Sequence, residues 1–298
     1  TGGEYGSIPE GSKFNFYNCP DQIITVVGCK YADNNCDGEI ELWGVCYSID
    51  TTVILDLEDK GLSGSIPNQI GELVNLTKLN LSKNQLQGRI PKEIGNLSKL
   101  TSLILEQNNL EGSIPSEIAN LGNLSILDLS LNQLSGLIPF QIGSLNELSY
   151  LNLNWNKLSG NIPEQLGELT SLTYLGIGYN KLNGYIPSEI ASLTNLTYLG
   201  LSDNFLSGSI PPEIGDLINL TYLDLGSNNI GGEIPADLGR LTNLINLDLE
   251  SNELTGIIPD DFCSQGDSSP DLRYNKLCPP YPDCIGDISG YQDTLTCD

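Results

Sequence analysis

The chain has 298 residues, 38 acidic and 13 basic, for a formal net charge of −25. That balance excludes a nucleic-acid partner, which needs clustered lysine and arginine, and argues against an anionic membrane surface. A cationic partner, a neutral glycan or divalent ions stay open, as does a charge that merely keeps an exported protein soluble.

Histidine is absent, so a Ser-His-Asp or Cys-His mechanism is excluded. No apolar run approaches the roughly 20 residues of a membrane helix, so no membrane span is expected. The chain starts at Thr1, contains no methionine and shows no signal peptide. This fits a mature form whose leader was removed, or a fragment of a longer precursor.

Residues 1–18 follow no long pattern. Phe14 and Phe16 alternate like a strand, and Gly6-Ser7-Ile8-Pro9 mimics a motif that recurs downstream. The segment reads as a folded flap, or as an arm docking on a neighbouring molecule to give a head-to-tail assembly. Cys19, Cys29, Cys36 and Cys46 follow, while Cys263, Cys278, Cys284 and Cys297 stand near the other end. An even count gathered at both ends predicts disulfide-stapled ends in an oxidising compartment. Zinc is the weaker alternative, because there is no histidine and no CxxC pair. No cofactor is expected.

From Leu55 the sequence repeats every 24 residues. Nine leucine pairs mark the turns, from Leu55/Leu57 and Leu79/Leu81 through Leu175/Ile177 to Leu247/Leu249. An alternating pair of this kind predicts a short strand. Strands stacked about 4.8 Å apart over nine turns give a parallel sheet roughly 40 Å long. An asparagine follows each pair: Asn84, Asn108, Asn132, Asn156, Asn180, Asn204, Asn228 and Asn252, with Lys60 the exception in the first turn. A buried amide at that place is expected to satisfy backbone groups where the chain bends inward. Each turn continues through G-x-I-P, as in Gly64-Ser65-Ile66-Pro67, into a segment such as Ile70-Gly71-Glu72-Leu73-Val74-Asn75-Leu76. Apolar residues at every third place predict a short 3₁₀-like convex coil. No turn buries its own apolar face, so stability must come from stacking.

These turns follow the pattern LxxLxLxxNxLxGxIPxxIGxLxxL over residues 53–259, and they resemble the plant-type class of extracellular leucine-rich repeats. Polygalacturonase-inhibiting proteins and receptor-kinase ectodomains share it, and exported bacterial proteins carry similar repeats. The resemblance implies an α/β solenoid. It would be a right-handed superhelix with a parallel concave sheet, a 3₁₀ or coil convex side, and disulfide-bonded caps. It also implies a second small sheet from the G-x-I-P segment. Residues 1–52 would hold an N-terminal extension and cysteine cap, 53–259 the nine repeats, and 260–298 the C-terminal cap. Leu42-Trp43-Gly44-Val45-Cys46 resembles the amino-terminal cap motif, one residue short. By that resemblance Cys36 pairs with Cys46, leaving Cys19 with Cys29. At the other end Leu272-Arg273-Tyr274-Asn275 forms a last, shortened turn. There the resemblance pairs Cys278 with Cys284 and Cys263 with Cys297.

Two outward columns are unusual. The column before the first leucine carries Tyr150, Tyr174, Tyr198 and Tyr222 in consecutive turns. The column before the asparagine carries Trp155 and Tyr179, with Phe205 just past Asn204. Between them Gly176, Gly178 and Gly200 are expected to be bare, giving an aromatic-rimmed trough. Aromatic faces with polar tips suit sugar rings and peptides. Stacked tyrosines also stabilise a sheet for their own sake. Asp224 and Asp248 should stand about 5 Å apart, the separation of a retaining glycosidase pair, or could bind calcium. An open sheet is expected to leave them, with Glu250, as ordinary solvated carboxylates. Six sequons occur, at Asn75, Asn80, Asn96, Asn123, Asn195 and Asn219; four of them share one slot of the repeat. They matter as glycan sites only in a host that glycosylates exported proteins.

The sequence therefore predicts a secreted or cell-surface, non-enzymatic recognition module that binds a protein or polysaccharide on its concave face. The alternative is a structural protein that self-associates through its ends.

Overall fold

A computed structural model describes residues 39–285 and 291–297. The expectations for residues 1–18, Cys19, Cys29 and Cys36 lie outside the described residues. Cys46 is disulfide-bonded.

Nine three-residue strands, from Ile54–Asp56 to Asn246–Asp248, form one parallel sheet in strict chain order. The register sets leucine on leucine, as in Leu127↔Leu151↔Leu175. One full turn shows what the repeat buries: Leu151, Leu153, Leu158, Ile162, Leu166, Leu169 and Leu172 are all closed to solvent. Each such side chain is stabilised by about 1.5–3 kcal/mol relative to exposure. Opposite the sheet run short 3₁₀ segments such as Asn68–Glu72 and Glu164–Glu168, each entered from a proline. A Cβ at Gly71 would collide with the Glu93 carbonyl of the next turn, so glycine sets the tight convex spacing there.

The asparagine column does what its period predicts. Asn156 Nδ2 donates to the carbonyls of Leu129 (3.0 Å), Leu153 (3.2 Å) and Asn154 (3.3 Å), while its Oδ1 accepts from the Leu134 N–H at 2.9 Å. The ladder runs on into the last turn, where Asn275 donates to Leu249 and accepts from Leu254.

The second sheet is larger than the resemblance implies, and it lies just before the I-P dipeptide. A seven-stranded block runs from Ser63–Ser65 to Phe205–Leu206. A three-stranded block follows, made of Gly231–Glu233, Glu253–Ile257 and Lys276–Cys278. A single bridge, Ser209↔Gly231, links them. The break falls at Gly231-Gly232, where two residues without side chains weaken pairing.

The described part of the amino-terminal cap is a hairpin. Glu39–Leu42 pairs antiparallel with Val45–Ser48, and Ile40, Leu42 and Tyr47 join the core. Trp43 (φ 50°) and Gly44 (φ 80°) make its two-residue turn. Two positive φ values match the twist of the flanking strands.

At the carboxy-terminal cap the structure corrects the expected pairing. Cys263 bonds Cys284 and Cys278 bonds Cys297. Lys276–Cys278 is held in the second sheet by pairing with Glu253–Ile257. The chain then leaves that sheet and buries Ile285 in the core, which brings Cys284 to the convex 3₁₀ segment Asp260–Ser264 holding Cys263. Thr294–Thr296 packs against Lys276–Cys278 and supplies Cys297 to Cys278.

Candidate ligand-binding face

Four tyrosines share one register position on adjacent concave strands. A strand spacing of about 4.8 Å leaves neighbouring rings room only to stack. Tyr150, Tyr174, Tyr198 and Tyr222 do so, with centroids 4.4, 4.2 and 4.5 Å apart and planes within 17° of parallel. Each pair adds about 0.5–1.5 kcal/mol beyond area burial. The rings are half-buried. Burial pushes the Tyr174 hydroxyl up to about 12, and that of Tyr198 up as well. Burial and the neighbouring Asp224 charge do the same for Tyr222, again to about 12. Burial also raises Tyr150. The row is thus neutral at physiological pH.

Trp155 and Tyr179 form a second stack, with centroids 3.8 Å apart and planes 7° from parallel. They are more open than the tyrosine row, at 52% and 40% exposure. Phe205 lies apart, in the second sheet opposite Asn183, 59% exposed. No ring contact joins it to Trp155 or Tyr179 among the described residues.

Trp155 (φ 57°) and Tyr179 (φ 52°) adopt left-handed backbone, which for bulky residues costs about 1–2 kcal/mol. Asp59, Lys83, Gln107, Leu131, Asp203, Ser227, Ser251 and Tyr274 do the same in their own turns. This conformation therefore belongs to the repeat's inward bend rather than to a strained site.

The expected bare trough is corrected. Gly176, Gly178 and Gly200 are buried. A Cβ at Gly200 would lie 2.9 Å from Tyr198 Cε1 and Oη, and one at Gly176 would lie 3.0 Å from Tyr174 Cε1. The tyrosines lean over the glycines, so the face offers ring edges and hydroxyls over a filled floor.

The expected ordinary carboxylates are corrected as well. Burial raises Asp224 above the usual carboxylate range, although Ser202 Oγ (2.7 Å) and the Gly226 N–H (3.0 Å) donate to it. Burial, with help from the Asp224 and Asp271 charges, pushes Asp248 up to about 6. The two stand opposite in register and flank Gly226, whose Cβ would lie 3.4 Å from Asp224 Oδ1 and 3.0 Å from Asp248 Oδ1. Both side chains are only partly exposed, a burial that the open-sheet picture omits. Burial raises Glu250 too, although it meets Arg273 at 2.8 Å; Arg273 also pairs with Asp271. Among the described residues no group of three or more acidic or cysteine side chains could hold a metal ion.

Sequence reasoning passed over Asp203. It occupies the Trp155 and Tyr179 column one turn further on; burial raises the Tyr179 hydroxyl, and the charge and hydrogen bond of Asp203 raise it further. The change from aromatic to acid within one column was the available signal.

Another face is regular. Thr77, Thr101, Ser125, Ser149, Thr173, Thr197 and Thr221 form an unbroken column, each hydroxyl donating to a backbone carbonyl of the preceding turn at 2.9–3.1 Å. Beside it the sequon asparagines Asn123, Asn195 and Asn219 donate to preceding-turn carbonyls at 2.8–2.9 Å. These asparagines therefore have a structural use of their own. Asn80 is buried and donates to Asp56 and Glu58, which closes that sequon in the folded chain.

The sequence matches the families described as leucine-rich repeat region over residues 37–184, leucine-rich repeats (2 copies) over 194–232 and leucine-rich repeat over 243–265. The chain belongs to the plant-type leucine-rich-repeat family. Among solved structures, a TDR receptor is 38% identical, with a TM-score of 0.68 over 80% of this chain and 46% of its own. The Arabidopsis receptor kinase HAESA ectodomain, solved with an IDA peptide hormone, is 38% identical, with a TM-score of 0.67 over 72% of this chain and 37% of its own. A plant ice-binding protein is 32% identical, with a TM-score of 0.56 over 78% of this chain and 83% of its own. This leucine-rich-repeat chain thus spans less than half the length of those two receptor structures and most of the ice-binding protein. Comparison with curated proteins gives no match.

Proposed function

We propose that this leucine-rich-repeat chain is an extracellular, non-enzymatic recognition module that takes a protein or glycan ligand across its concave face. The single observation carrying this reading is the aromatic surface there: a four-ring tyrosine row beside the exposed Trp155–Tyr179 stack. Large, rigid rings with polar tips give contact area at low entropic cost. The peptide-bound HAESA ectodomain supports the protein-ligand form of the reading. The disulfides support an oxidising, extracytoplasmic location. Residues Tyr150, Trp155, Tyr174, Tyr179, Tyr198 and Tyr222 are the proposed contacts, with Phe205 a flanking one. The test is a glycan array and a peptide panel probed with the wild-type chain, Tyr174→Ala and Trp155→Ala. Hits lost in either variant uphold the reading; hits indifferent to both overturn it.

A second reading is favoured by the ice-binding relative, which this chain matches over 83% of its length. Here the hydroxyl column from Thr77 to Thr221 would be the working surface. Its side chains repeat at the strand spacing, about 4.8 Å, and each is pinned by the same hydrogen bond, so the row is evenly spaced and ordered. Inhibition of ice recrystallisation, abolished by Thr173→Tyr with Thr197→Tyr, is the expected result; a wild-type chain without such inhibition sinks this reading. End-to-end assembly stays a separate proposal, checked by light scattering, with a monodisperse monomer as the refuting outcome.

A further inference from the structure

Carboxylates recur along the concave face, but among the described residues lysine and arginine pair with them only near its two ends. At one end Lys78 meets Asp56 at 2.9 Å and Lys83 meets Glu58 at 2.6 Å. At the other, Arg273 meets Glu250 at 2.8 Å. Between them Asp203, Asp224 and Asp248 pair with no lysine or arginine among the described residues. The same stretch holds the end of the tyrosine row. The charges of Asp203, Asp224 and Asp248 all reach the Tyr179 hydroxyl, and those of Asp224 and Asp248 reach Tyr222. In register, the column Gly178, Ser202 and Gly226 runs between the columns that hold Tyr222 and Tyr179, and Ser202 donates to Asp224.

Resting on the concave-face reading above, we infer that the ligand is a basic peptide, one of whose lysine or arginine heads sits between Tyr179 and Tyr222 against Asp203, Asp224 and Asp248. Charge complementarity selects this occupant. Aromatic faces attract an organic cation by about 0.5–2 kcal/mol, and carboxylates with no basic partner accept its hydrogen bonds. A neutral sugar leaves those charges uncompensated. Among the described residues a metal ion finds no group of three or more acidic or cysteine ligands. A net charge of −25 steers a basic partner toward the chain. From this patch the row continues through Tyr198 and Tyr174 to Tyr150, enough ring edge for about four residues of extended chain. Burial that raises Asp224 and Asp248 agrees with carboxylates that gain when a cation arrives.

The experiment is selection from a random dodecapeptide display library on the wild-type chain at physiological salt. The winning peptide and its form with every lysine and arginine changed to glutamine are then titrated onto wild type, Tyr174→Ala and the Asp224→Asn/Asp248→Asn double variant. Asparagine keeps the shape and removes the mutual repulsion, and thermal melting checks the fold. Winners are expected to carry lysine or arginine at a fixed place. The double variant should bind them at least tenfold more weakly while treating the glutamine form as wild type does. Winners without a basic residue that still depend on Tyr174 would uphold concave-face recognition and overturn the basic ligand. Basic winners that bind the double variant as tightly as wild type would overturn it too. So would a library from which no peptide is enriched, leaving the glycan array to decide the recognition reading alone.

Discussion

Replacing Asn156 with alanine tests how the solenoid is held together. Asn156 is buried and contacts four backbone groups. The loss is smaller than four orphaned groups would suggest. The Leu129 carbonyl keeps a bond from Asn132 at 3.2 Å, and the Leu153 carbonyl keeps one from Asn180 at 3.0 Å. The Leu134 N–H loses the side-chain acceptor at 2.9 Å, and Leu134 itself is fully buried. An unsatisfied buried donor costs about 1–3 kcal/mol, and the weakened carbonyls add on the order of 1 kcal/mol more. Asn156→Ala should therefore destabilise the chain by about 3 kcal/mol and lower Tm by roughly 5–10 °C. Circular dichroism melts and chemical denaturation read both, with the exposed Gln133→Ala as control. A loss below 1 kcal/mol, or one matched by the control, refutes the amide ladder as a stabilising element.

Three further outcomes are expected. Asp248 titrates near 6 in the folded chain against an ordinary value of 3.8, so the folded state binds more protons between those values. Its contribution favours the fold below pH 4 and is lost as pH rises through 6. Asp248→Asn should remove about 1 kcal/mol of this pH dependence, allowing for solvent screening at a half-exposed group, and parallel pH-stability curves would contradict the burial argument. Gly200→Val pushes a side chain into the Tyr198 ring and should cost about 1–3 kcal/mol and change the near-UV dichroism. Gly122→Ala, with open space around it, should change neither, and an unchanged Gly200→Val spectrum would show that the ring does not cover the glycine. Peptide mapping without reduction should link Cys263 to Cys284 and Cys278 to Cys297; a Cys278–Cys284 fragment would refute the cap.

Most of the scaffold was legible in the amino-acid order. A leucine at Leu151 and one at Leu175 occupy the same place in successive turns, so a 24-residue period forces them into register, and Asn156 and the tyrosine column follow by the same translation. Stacking of identical turns needs no distant contact to specify it, which is why period alone predicted the concave sheet, the convex 3₁₀ segments and the adjacency of Tyr150, Tyr174, Tyr198 and Tyr222. What departs from translation was left to tertiary structure. The cap cysteines pair by the path of an aperiodic tail, and reading Cys278 with its near neighbour Cys284 overlooked the strand that holds it. Gly176 and Gly200 look bare in a sequence because a rotamer that lays a ring over a neighbour is invisible there. The raised carboxylates at Asp224 and Asp248 have the same origin. Their columns were readable, but burial is a property of everything packed around a group, and only the folded chain decides it.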